Sequence, residues 1–381
     1  MKIIVRTYAG LEGLLQKEVE NLTGKEVEIE KRAISFDGAT EDVYKINLWS
    51  RLSIDVLVHL YSFRAINEEQ LYNKLTNFPW EKHLTVDESF SFSSIVHSSF
   101  FKHSKYVALK AKDALVDRFR KRSGSRPNVD RINPIHQFVI RISEKNTSIL
   151  WNSSGDSLFK RGYRTHTVEA PVNEVLAAAI IDFSGWDNTT TLVDPMCGSG
   201  TFLCEALIKS SNYAPGLNRK QFAFEKSKNF KPALWNALVD EAKSKIIKSK
   251  APIFGFDSSE EAIYSCEKNI ENLFPFHSVY LKNEDFFNLD KPHEEGLILM
   301  NPPYDVRLKN SNIMDFYNNI GRRLKHHWEN YEAWIFSGNL NASKRIGLKP
   351  KKKIMLYNGP LECKLMYIPI YKGSKRYKQS S

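Results

Sequence analysis

The stretch "TTTLVDPMCGSGTFLCEALI", residues 189–208, decides the fold. An apolar strand runs into Asp194-Pro195, where proline ends it, and glycines at 198 and 200 permit a tight turn before an apolar run of helical period. Strand, turn and helix in this order open an α/β unit, in which a ligand lies beyond the strand carboxyl ends and approaches the backbone at the helix N-terminus. The run is not a phosphate-binding P-loop, because no Lys-Ser/Thr pair follows at the required spacing, and not the dinucleotide GxGxxG, because residue 203 is Leu. A generic glycine turn is the alternative.

Further strands follow downstream: "APIFGFDSS" (251–259), "SVYLKNEDFF" (278–287), "GLILMNPPY" (296–304), "YEAWIFSGN" (331–339) and the closing "KKIMLYNGPLECKLMYIPIY" (352–371). Their alternation with helical segments predicts an open parallel sheet with a late antiparallel hairpin. Asp257, ending the second strand, can hold ribose hydroxyls. It falls 63 residues after Asp194, farther than a compact unit needs, so residues 209–250 read as an insertion. Asp285, ending the next strand, can accept from an adenine amino group while Phe286 offers a ring face.

In "LILMNPPYDVRL" (297–308) a buried-looking strand stops at Asn301 and two prolines. The Asn301 side-chain carbonyl and the Pro302 backbone carbonyl can each accept one hydrogen of an sp² amine, turning its lone pair toward an electrophile. Tyr304 can stack on an extruded base. Such a tetrad should arise by chance in about one per cent of chains this long. Together these residues describe in-line transfer of a sulfonium methyl to an exocyclic nucleobase nitrogen.

The front half reads differently. "KIIVRTY" (2–8), the helical "GLEGLLQKEVENL" (10–22), "EVEIEKRAISFDG" (26–38) and "DVYKINLWSRL" (42–52) suggest a small α+β module. A second unit runs to about residue 151, with strands at 89–96 and 136–152 and a helix over 105–121 whose inner face is expected to hold Val107, Leu109, Ala111, Ala114, Leu115 and Phe119. Residues 101–131 hold ten Lys or Arg against three Asp, a net +7 in a chain of net +11. The cations continue through the loop "RKRSGSRP", which suits phosphate contacts better than a solvated helix face. Lys102, Lys105, Lys112, Arg120, Lys121, Arg122 and Arg126 are the candidate contacts to RNA or DNA.

The basic balance favours a polyanionic partner. No apolar run reaches the ~18 residues of a membrane span, and the start "MKIIVRTYAG" has no signal-peptide core. A cytosolic protein without a membrane partner is expected. Four cysteines without CxxC or metal-ligand spacing predict reduced thiols and no metal site.

On "GLEGLLQKEVENL", "LWSRLSIDVLV", "SGDSLFKRGYR", "LVDPMCGSGTFLCEAL", "NYAPGLNRKQFAFE", "NPPYDVRL" and "LYNGPLECKL" the chain resembles the THUMP-containing, S-adenosylmethionine-dependent RNA methyltransferases, most closely the bacterial 23S ribosomal RNA guanine-N2 methyltransferases. The resemblance implies an α/β protein with a ferredoxin-like part (1–55), a THUMP RNA-binding domain (56–154), a linker (155–170) and a Rossmann-like methyltransferase domain (171–381). It also implies that Asp194, Gly198 and Gly200 border the methionine part of S-adenosylmethionine, Asp257 its ribose, and Asp285 and Phe286 its adenine, with Pro195, Cys197 and Thr201 also in the cofactor site. Asn301, Pro302, Pro303 and Tyr304 would surround the target amine. The family usually continues its tetrad with Gly-Glu, where this chain has Asp305 and Val306. A tRNA guanine-N2 methyltransferase, an adenine-N6 methyltransferase and a non-catalytic RNA-binding assembly factor are the alternatives.

Overall fold

A computed structural model describes residues 1–167, 171–273, 279–304 and 313–372. Asp305 to Arg307 lie outside the described residues. The chain divides into two compact units, the first comprising Met1–Thr7, Leu15–Leu158 and Arg219–Asp240, the second Tyr8–Leu14, Phe159–Asn218 and Glu241–Ser381.

In the first unit the elements are β1 (Lys2–Arg6), α1 (Glu12–Thr23), β2 (Glu28–Glu30), β3 (Ala33–Asp37), α2 (Thr40–Trp49), β4 (Asp55–Arg64), α3 (Glu68–Asn77), β5 (Phe90–His97), α4 (Ser104–Ser123), β6 (His136–Ser143) and β7 (Asn146–Asn152). Where one strand was expected over 26–38 there are two, turned at Arg32 with φ of 56°. The strands form one sheet in the order β2-β3-β1-β4-β7-β6-β5, with only β5 and β6 parallel. The ten-residue β4 joins its two halves. Val107, Ala111, Ala114, Leu115 and Phe119 of α4 are buried in one cluster with Trp80, Phe138 and Ile140. Leu109 corrects the expected inner face: it is 43% exposed, because two residues of helical rotation carry it about 200° from Val107, and Val116 is buried instead. Arg219–Asp240 follow a helix of the second unit in sequence yet belong to the first, where Phe224 stacks on Tyr44 with ring centroids 4.3 Å apart. This is the long insertion seen in the spacing.

The second unit contains α5 (Glu174–Ser184), β8 (Leu192–Asp194), α6 (Thr201–Ser210), β9 (Ile253–Asp257), α8 (Glu260–Leu273), β10 (Val279–Asn283), β11 (Gly296–Met300), α9 (Ile313–His327), β12 (Tyr331–Ser337), β13 (Lys352–Asn358) and β14 (Leu361–Pro369); α7 (Pro232–Ser244) spans the boundary between units. Asn173 caps α5, its side chain accepting the Val175 N–H at 3.0 Å. The sheet order is β10-β9-β8-β11-β12-β14-β13. Strands β8 to β12 pair in parallel, and β14 runs antiparallel to both neighbours. The chain moves outward from β8 to β10 and then returns to the other side of β8 with β11. That reversal opens a crevice beyond the carboxyl ends of β8 and β11.

Candidate active site

At the crevice lies a cavity of about 430 Å³, within the range of ligand pockets. Three successive strands deliver carboxylates to its wall: Asp194 ends β8, Asp257 ends β9, and Asp285 follows β10. Among the described residues no Lys, Arg or His lines it.

The glycine turn is fixed by its backbone and by Asp257. The Cys197 N–H donates to the Phe256 carbonyl at 2.9 Å, and the Gly198 N–H donates to Asp257 Oδ2 at 2.9 Å. Asp257 Oδ1 meanwhile accepts from the Ser259 N–H at 3.0 Å. Each carboxylate oxygen keeps a lone pair for a ligand hydroxyl. Gly200, at φ 81°, caps α6, and a Cβ there would stand 2.4 Å from Cys266 Sγ. No side chain fits. Pro195, Cys197, Gly198 and Thr201 line the cavity, whereas Gly200 does not and acts through the turn.

Asn301, Pro302, Pro303 and Tyr304 border the same cavity from the end of β11. The Tyr304 hydroxyl donates to Asn301 Oδ1 at 2.5 Å. Burial pushes the Tyr304 hydroxyl pKa up, so it is a neutral donor. The tetrad's carbonyls divide sharply. Tyr317 donates its hydroxyl to the Pro303 carbonyl at 3.2 Å, and Asn339 Nδ2 donates to the Tyr304 carbonyl at 2.9 Å. The Pro302 carbonyl accepts no hydrogen bond among the described residues. Sequence reasoning missed Tyr317, Asn339 and Gly338, where a Cβ would come within 2.9 Å of the Tyr304 ring. A Gly-Asn pair ending the strand next to β11 was the available signal.

Phe286 lines the same cavity beside Asp285. Its ring is 2% exposed and packs in the core with Trp328, at a centroid distance of 6.0 Å, so it has little free face. Phe316, half-buried on α9, also lines the cavity and sits edge-on to Phe287 at 5.4 Å.

The chemistry of this wall can be matched to a cofactor. Three carboxylates and, among the described residues, no cation disfavour phosphate-bearing dinucleotides and suit a cofactor that presents a sulfonium, an ammonium and donor hydroxyls. S-adenosylmethionine fits that description. Asp194 is the most costly member: it is 1% exposed, accepts from the Met196 N–H at 3.3 Å, and burial raises its carboxyl pKa well above the ordinary value. A raised value means stability that is complete below the unfolded pKa and falls as pH rises through the folded one. Asp194→Asn should therefore melt higher than the parent at neutral pH without cofactor, should lose that advantage in acid, and should gain little from added S-adenosylhomocysteine. Melting curves of parent and variant that ran in parallel at every pH would refute this.

The candidate RNA cations all lie on or beside α4 in the first unit. Lys112 pairs with Asp113 at 2.6 Å, Arg120 with Asp117 at 3.6 Å, and Arg122 with Glu81, which also holds Arg118. Arg118, foremost, and Arg122 keep the Glu81 carboxyl near 2. Lys102, Lys105, Lys121 and Arg126 are exposed and have no ion-pair partner among the described residues. Among those residues no helix is long and apolar enough to cross a membrane, and no three His, Cys, Asp or Glu cluster to hold a metal.

Comparison with known proteins matches residues 2–57 to an RlmL ferredoxin-like domain, 65–151 to a THUMP domain and 161–367 to an RMKL-like methyltransferase domain. The chain is 34% identical over 383 residues to ribosomal RNA large subunit methyltransferase K/L of Syntrophotalea carbinolica, covering 97% of this chain and 54% of that protein. It thus spans about half the length of the K/L relatives it matches. Slr0064 of Synechocystis sp. (strain ATCC 27184 / PCC 6803 / Kazusa), whose assigned name is that of an RNA methyltransferase, is 33% identical, with 95% of each chain covered. Among solved structures, SMU.472 complexed with SAH matches at TM-score 0.85 and 28% identity over 98% of this chain and 99% of its own. A Clostridium difficile 630 protein matches at TM-score 0.87 and 28% identity, covering 98% and 99%. With the methyltransferase match alone extending over more than half its length, the chain belongs to the RMKL-like methyltransferase family and carries that domain behind ferredoxin-like and THUMP segments.

Proposed function

We propose that the protein methylates the exocyclic N2 amine of a guanine in RNA, foremost 23S ribosomal RNA, with S-adenosylmethionine as donor. The observation that carries this reading is the Pro302 carbonyl, without a hydrogen-bond partner among the described residues, together with the Asn301 carbonyl at the rim of a cavity walled by three carboxylates. When bound, the cofactor supplies an electrophilic methyl on sulfur. Asn301 and Pro302 take one amine hydrogen each and hold the nitrogen lone pair toward the cavity, and Tyr304 gives the base a surface. The transfer needs alignment rather than a strong base, and the amine proton leaves to water. Asp257 and Asp285 are assigned the ribose and adenine, and Asp194 the methionine end. The names of the K/L relatives support ribosomal RNA as substrate. The test is mass spectrometry of nucleosides from 23S RNA and tRNA of a deletion strain. Loss of N2-methylguanosine from 23S RNA supports the assignment, and an unchanged N2-methylguanosine content with loss of an N6-methyladenosine overturns it.

The front unit is assigned RNA capture, through cations not already paired. Replacing Lys102, Lys105, Lys121 and Arg126 by Ala should flatten the dependence of log affinity on log salt by about 0.7 per lost contact. Arg122→Ala should change it less, because that guanidinium is already engaged by Glu81. A salt slope unchanged by the fourfold replacement would show these cations to be solvated surface only.

A further inference from the structure

Three blocks of sequence remain without a role: "YAGLEGL" (8–14), "LFKRGYR" (158–164) and "LYNGP" (356–360). Within the second unit they converge on a second cavity of about 570 Å³, whose wall includes Tyr8, Lys160, Arg161, Arg164, Asn173 and Asn358. Tyr8 comes from the first block, the three cations from the second, and Asn358 from the end of β13.

The middle block is built to face two ways. Gly162 adopts φ 97°, and a Cβ there would stand 2.4 Å from the Asn218 carbonyl oxygen, so the chain passes where only glycine fits. Tyr163 donates its hydroxyl to Glu205 of α6 at 3.2 Å, and Arg161, 2% exposed, reaches the same oxygen at 3.4 Å. Arg164 donates to Thr201 Oγ1 at 2.8 Å and to the Val172 carbonyl at 3.0 Å, and pairs with Glu174 at 3.3 Å. The block therefore braces the helix that carries the glycine turn. Lys160, exposed, also lines this cavity.

Pro171 lines both cavities, so they adjoin. Their charge is opposite. Among the described residues the first has three carboxylates and no cation, whereas the second has three cations and one carboxylate, Glu174, already paired with Arg164. A cationic cofactor suits the first wall and a phosphodiester the second. Tyr8 adds a ring for stacking, and Asn173 and Asn358 add amides that can meet base edges.

We propose that the second cavity seats the RNA nucleotide adjoining the target guanine, its phosphate against Lys160 and the guanidinium edges of Arg161 and Arg164, its base against Tyr8. This rests on the RNA-methylation reading above. It gives the active site a second nucleotide subsite, so that extruding the target also anchors the chain next to it.

The test uses the full chain and transcribed 23S ribosomal RNA, with Lys160→Glu and Tyr8→Ala compared to the parent. Each variant should raise the RNA KM about tenfold, the scale of one lost phosphate or stacking contact. Saturated kcat and the affinity for S-adenosylhomocysteine should stay within about twofold, because neither side chain lines the first cavity. Lys160→Arg should restore the parental KM. RNA carrying 4-thiouridine should crosslink to peptides containing Tyr8 or Lys160. Methylation by the parent with an unchanged KM in both variants would overturn this subsite alone, as would a loss of cofactor affinity in step with KM. A parent that methylates no RNA would overturn the reading beneath it as well.

Discussion

Asn301→Ala should lower turnover by about 100-fold or more, the scale of removing one preorganised acceptor from a transition state, with cofactor affinity nearly unchanged. The reason is geometric. Of the carbonyls of Pro302, Pro303 and Tyr304, the last two are occupied by Tyr317 and Asn339, which among the described residues leaves Pro302 to act with the Asn301 side chain as the acceptor pair. The Tyr304 hydroxyl on Asn301 Oδ1 fixes the amide plane without using the second lone pair. Asn301→Asp keeps an acceptor at this place and should lose less. Single-turnover rates with saturating cofactor and RNA, set beside calorimetric affinity, separate the two effects. An alanine variant with parental turnover would make the tetrad a structural strand end.

Asp257→Ala should weaken cofactor binding by about 30- to 100-fold, the scale of a lost charge-assisted contact. Two losses add here. The ribose assigned to this carboxylate loses its acceptor, and the Gly198 N–H loses the oxygen, 2.9 Å away, that ties the glycine turn to β9. Asp257→Asn keeps one carbonyl oxygen and should fall between parent and alanine. Calorimetry with S-adenosylmethionine decides it, and parental affinity in the alanine variant would remove Asp257 from the site.

Much of the second unit was legible because its signals are local. Asp194, Asp257 and Asn301 each close an apolar strand, and strand ends in an open α/β sheet share one edge, so their convergence on one cavity follows from short-range pattern. The supports of that cavity were not legible in this way. Tyr317 and Asn339 reach the tetrad from 14 and 35 residues away; nothing near Tyr317 marks it, and only the Gly338-Asn339 pair at a strand end hints at Asn339. Phe286 lines the cavity as its place after a strand-end Asp suggests, but its packing against Trp328 is a long-range contact that no local pattern encodes. Leu109 misled because apolar character was taken as burial, although its helical phase faces it outward. The insertion was visible as excess spacing, but its membership of the first unit depends on aromatic contacts such as Phe224 on Tyr44, which no spacing encodes.

The shared strand β4 has a consequence for how the front half breaks down. Leu57 pairs with Ile4 on one edge and Asn152 on the other, and Val58 pairs with Ile3 and Trp151. The ferredoxin-like match ends at residue 57 and the THUMP match begins at 65, so the seam between two named domains lies inside a single ten-residue strand. A protease or gene truncation that removed residues 1–64 would leave β7 with a bare edge of unpaired amides and carbonyls, open to any extended chain in solution. The two segments are thus two modules by descent and one by cooperativity: their central amides should exchange with solvent in a single opening event.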